Sequence, residues 1–134
     1  MRAYLIKNIY KFVIFLILIP GISFSEWVKI NYKFSGTNDS HFYWNKDLEY
    51  IEKDIVRFYK ASNYDPYPIA GMVYSSMANV EIDCVKGLSR ELSYINYSDY
   101  NLKGDIIMSS QEIDNWIKIN FDGSVMSEMS DILC

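Results

Sequence analysis

The chain has 134 residues, of which 50% are hydrophobic, 16% aromatic and 22% charged, a composition that excludes disorder and leaves room for one core. Its formal charge is −4, and Arg2, Lys7 and Lys11 are the only charges in the first 25 residues. Setting those three aside leaves 10 of the 13 basic residues against 17 acidic ones, so residues 26–134 carry −7 and offer nothing to attract nucleic acid.

Residues 1–25 read as a secretory signal peptide. The basic start leads into the apolar run Phe12–Ile19 (FVIFLILI) and then the helix breakers Pro20 and Gly21. Ser23 and Ser25 then place small residues at −3 and −1 of a cut before Glu26. The alternative is an uncleaved anchor, but the uncharged stretch Phe12–Ser25 has 14 residues where a spanning helix needs about 20. No cysteine stands near the cut to take a lipid. The product expected is one domain, residues 26–134, periplasmic or secreted and without a stable membrane anchor after cleavage.

That domain reads mostly as short strands. Trp27–Phe34 alternates apolar and polar residues imperfectly and runs into the turn Ser35–Ser40. His41–Trp44 is an aromatic strand, and Asn45–Asp54 a charged connection in which Leu48, Tyr50 and Ile51 reach the core. Ile55–Tyr64 is a strand with Val56, Phe58 and Lys60 on one side and Arg57, Tyr59 and Ala61 on the other. Residues 65–71 form a proline-bearing loop. Met72–Tyr97 reads as a strand, a turn near Ala78–Asn79 and a long strand through Cys84, with Gly87 marking a bulge. After the polar stretch Asp99–Lys103 come two further strands, Gly104–Ser110 and Asn115–Ile119.

The C-terminus alone carries a helical period. Ser124 is the expected N-cap, and Val125, Met129, Ile132 and Leu133 recur on one face opposite Glu128 and Asp131. The two cysteines, Cys84 and Cys134, belong to no CxxC pair, and with one histidine they make a poor zinc set. In an oxidising compartment their natural state is a bond to each other, and the alternative is two reduced, buried thiols. The bond closes a loop of about 50 residues, for which the chain-entropy model gives about 4 kcal/mol. The fold class expected is mainly β (α+β), an antiparallel sheet with the terminal helix pinned to it by the disulfide.

These features in this order resemble a family of small exported bacterial proteins, the surface-adhesin protein E family. The likeness starts at the Trp27 strand and runs through Phe42–Trp44, Ile55–Tyr64 and the segment ending in Glu81-Ile82-Asp83-Cys84. It continues through Lys86–Leu92, Gly104, Trp116 and the turn Asp122–Ser124 to a short helix closed by Cys134. The resemblance implies a curved sheet, a helix tethered across it by Cys84–Cys134, an exported product and, from the founding member, adhesion to host surfaces and matrix proteins. Tyr59 stands where the family's third strand carries a tryptophan. The leader has no lipid-attachment cysteine, so surface anchoring does not carry over.

No catalytic set emerges. His41 is the only histidine, and its neighbours Asp39 and Ser40 share its strand, whereas a triad converges from separate elements. Glu81 and Asp83 share a strand face, which reads as a solvated face rather than an acid–base pair or calcium site. No phosphate loop, HExxH or EF-hand pattern is present, and no cofactor or metal is expected. Tyrosine stands out instead. Of ten in residues 26–134, Tyr64, Tyr67, Tyr94, Tyr97 and Tyr100 fall in or near loops and are the candidate binding surface, the alternative being that they pack the sheet. The expected function is a non-catalytic binding module for an extracellular or periplasmic protein or glycan. The alternative is a soluble periplasmic structural or inhibitor protein acting on another exported protein. Open sheet edges permit a homodimer.

Overall fold

The computed structural model describes residues 26–31, 38–65, 68–119 and 123–134. The leader, the end of the first expected strand and Tyr67 lie outside them. Among the described residues eight strands form one antiparallel sheet: β1 (Trp27–Ile30), β2 (Ser40–Trp44), β3 (Glu49–Ile51), β4 (Ile55–Asn63), β5 (Ser75–Asp83), β6 (Leu88–Asp99), β7 (Lys103–Ser110) and β8 (Ile117–Lys118). The order is β1-β2-β4-β5-β6-β7, with β3 paired to the start of β4 and β8 to the start of β6. One helix follows, α1 (Val125–Leu133), and Cys134 is bonded to Cys84 with their Cα atoms 5.6 Å apart.

The strand period sorts the side chains cleanly. Val56 and Phe58 on β4 oppose Ile82 and Val80 on β5, and all four are shut off from water on the side that α1 covers. Ile30, Ala78, Met129 and Leu133 complete that core. The helix forms where Ser124 caps it, its hydroxyl oxygen accepting from the Ser127 amide at 3.1 Å. Met126, Met129 and Leu133 turn inward together, whereas Ile132, expected on the buried face, is 52% exposed. At 100° per residue the centre of contact falls between Met129 and Met126, which leaves Ile132 at the rim. No helix of the described residues is long and apolar enough to cross a membrane.

Two expectations exchange places. β5 runs straight through Ala78–Asn79, and the turn falls at residues 84–87 instead. Gly87 takes a left-handed φ of 66° there, and the Asp83 carboxylate accepts from the Val85 and Lys86 amides at 3.1 and 2.9 Å. The bulge lies opposite the expected turn. Asn79 pairs with Ser93 but Val80 pairs with Glu91, so Leu92 is the extra residue. The charged connection after β2 also contains a strand, β3, because Glu49, Tyr50 and Ile51 register against Arg57, Val56 and Ile55.

Candidate functional site

The side of the sheet away from α1 carries aromatic residues from four strands. Trp27 pairs directly with Trp44 across β1 and β2, their ring centres 5.1 Å apart and tilted by 60°. Tyr59 on β4, Met77 on β5 and Tyr97 on β6 project from the same face. With Leu102 and Asp47 they line a groove of about 480 Å³. Tyr59 and Asp47 also border a neighbouring polar hollow, which Arg57, Glu49 and Asn79 help to enclose.

Beside the groove runs a charged ladder. Glu81 is 3% exposed, accepts from Arg57 Nη2 at 3.2 Å and pairs with Arg90 through Nη2 at 2.8 Å and Nε at 2.9 Å. Arg57 reaches Glu49 at 3.6 Å, and the Arg90 guanidinium stacks 4.3 Å from the Trp116 ring centre. The expectation of a solvated Glu81–Asp83 face is overturned. Glu81 is buried because arginines on both neighbouring strands face it, and Asp83 is buried because it caps the turn after β5.

The five tyrosines divide among different places. Tyr97 lines the groove. Tyr64 and Tyr94 point to the helix side, Tyr64 bonding Ser76 Oγ at 2.7 Å and Tyr94 donating to Met108 Sδ at 3.2 Å. Tyr100 stands edge-on to Tyr74 at the turn between β6 and β7, ring centres 5.2 Å apart. Tyr67 lies outside the described residues. Sequence reasoning missed Trp27, Trp44, Tyr59 and Met77 as partners of Tyr97. They are scattered over 70 positions, and only the successive pairings β1-β2-β4-β5-β6 put them on one face. Cross-strand aromatic alternation was the available signal, but it needs the register to be read.

His41 sits on the helix side, with Nδ1 2.7 Å from Ser62 Oγ. Burial lowers its pKa to about 4, the Lys60 charge pushing the same way and Asp39 pulling back. Among the described residues no group of three His, Cys, Asp or Glu side chains is placed to hold a metal.

A single open sheet with a strapped helix over one face and an aromatic groove on the other is an architecture suited to binding at its uncovered side. A model of the surface-adhesin protein E family matches residues 27–134, and the chain belongs to that family. No curated relative and no solved structure matches. Membership gives the chain an adhesin-like role and an exported character.

Proposed function

We propose that residues 26–134, released by cleavage before Glu26, act as a non-catalytic binding module that recognises an external protein or glycan through the open-side groove. The observation that carries this reading is the gathering of Trp27, Trp44, Tyr59 and Tyr97 on the face that α1 leaves uncovered. Tyrosine and tryptophan rings combine a large apolar area with a polar edge and few rotatable bonds, the properties of residues that dominate binding energy at interfaces. Family membership supports a role in adhesion.

The test is binding of the exported protein to immobilised matrix proteins and to arrayed glycans. Tyr59→Ser and Tyr97→Ser, in the groove, are compared with Tyr64→Phe on the helix side. Each groove substitution is expected to weaken binding by about tenfold or more, as hot-spot residues do, while Tyr64→Phe leaves it unchanged. Undiminished binding by both groove variants would exclude the groove. Protection of the protein from added protease on intact cells would move the reading to a soluble periplasmic protein acting on another exported protein.

A further inference from the structure

A second cavity, of about 370 Å³, lies on the helix side between β4–β6, the start of α1 and the segment leading into β8. Lys60, Arg90, Glu91 and Asp114 line it, the Arg90 guanidinium being already engaged by Glu81 at 2.8 Å and stacked on the Trp116 ring, and Val80, Ile117 and Met126 supply an apolar wall. Lys60 is the one charged residue among the inward positions of β4, between fully buried Phe58 and nearly buried Ser62. Glu91 reaches the cavity only because of the bulge. Ser93 pairs with open-side Asn79, and strict alternation would put Glu91 on that same open side. The extra residue Leu92 turns Glu91 to the helix side opposite Val80, and in the same stroke turns Arg90 to the open side opposite Glu81.

Apart from Arg90, which Glu81 holds, the charges border one space without contact. Among the described residues no side-chain hydrogen bond and no ion pair within 4.0 Å joins Lys60, Glu91 or Asp114 to any partner. Lys60 and Glu91 are half-buried and Asp114 is exposed at the mouth, so water reaches the space, and an ammonium and a carboxylate held apart there gain from a ligand that contacts both. Burial lowers the Lys60 pKa while Glu91 pulls it up, and burial together with Asp114 raises that of Glu91. With two cations and two carboxylates around the space, an anion alone or a cation alone meets a like charge as well as an opposite one. A molecule bearing both charges meets both ends.

We propose that this cavity binds a small zwitterion with an apolar side chain, the chemistry of a free apolar amino acid. Its carboxylate lies on Lys60, its ammonium between Glu91 and Asp114, and its side chain against Val80, Ile117 and Met126. The site is independent of the open-side groove and survives if that groove binds nothing.

The test titrates the exported protein with L-leucine, with isoamylamine, which is leucine without its carboxylate, and with isocaproate, which is leucine without its ammonium. Amide chemical shifts at Val80, Ser89, Glu91 and Asn115 report occupancy. Leucine is expected to give saturable shifts there, and each half-molecule to bind at least about tenfold more weakly, ~1.4 kcal/mol per missing charge. Lys60→Met and Glu91→Gln should each weaken leucine by a similar factor with the disulfide and far-ultraviolet spectrum unchanged. No saturable shift with leucine, or a half-molecule binding as tightly as leucine, overturns the proposal. If a variant does not fold, the comparison of the three ligands on the wild-type protein decides it.

Discussion

Glu81 shows how much one side chain settles at the residue scale. It is almost fully buried, and the arginines that neutralise it, Arg57 and Arg90, are each about a third exposed. Replacing it with glutamine removes the charge and leaves two guanidiniums facing an amide. Glu81→Gln should cost roughly 2–3 kcal/mol, less than a pair buried on both sides because water reaches the arginines. Urea unfolding measures that cost, and Trp116 emission should change in the native state as Arg90 loses its anchor. His41 makes the complementary case, a base held neutral. Its ring protonates near 6.5 when unfolded and near 4 when folded, chiefly through burial. Between those values the unfolded chain holds the extra proton, so stability rises with pH. The contribution is complete above about pH 6.5 and lost as pH falls towards 4. It amounts to roughly 1–2 kcal/mol once the water-exposed part of the ring is discounted. Stability curves of wild type and His41→Asn should therefore diverge over that range and run parallel above it.

At the scale of elements, α1 depends on what holds it. Nine residues make a marginal helix in water, so cap, apolar face and covalent tie must act together. Met129 and Leu133 supply the face, and Tyr50 donates its hydroxyl to the Leu133 carbonyl at 3.0 Å. The Cys84–Cys134 bond fixes the far end against the turn after β5. Cys134→Ser should cost roughly 2–5 kcal/mol. Amide exchange should rise first in Val125–Leu133, since the strands keep their own ladders. If the doubly substituted Cys84→Ser, Cys134→Ser protein melts at the wild-type temperature, the bond does not hold the helix. Among the described residues the opposite margin of the sheet has no such cover. β7 is an edge strand with Ile106, Ile107 and Met108 exposed at 60%, 37% and 56%, an apolar margin open to strand pairing.

For the whole molecule, one sheet separates two environments: a core and a charged cavity beneath the helix, and an aromatic groove with an arginine–glutamate ladder on the other side. Much of this was legible in the chain itself. Period-two runs marked β2 and β4 and predicted that Val56 and Phe58 share a side with Lys60. Ser124 and the spacing of Val125, Met129 and Leu133 announced the helix, two cysteines in an exported acidic chain announced their bond, and the order of these features led to the adhesin family. These are local signals, because strand alternation, helix caps and a cysteine pair are written within a few residues or in composition. What tertiary structure alone decided depends on register. Gly87 makes a turn rather than a bulge because the Asp83 carboxylate and the pairing of β5 with β6 close the chain there. Leu92 makes the bulge although nothing in its neighbours advertises it, and that one extra residue puts Glu91 on the same side of the sheet as Lys60 and Arg90 against Glu81. The groove follows the same rule. Trp27, Trp44, Tyr59, Met77 and Tyr97 meet because a one-residue slip in any strand would move its side chains to the other face, and only the assembled sheet selects which face each one takes.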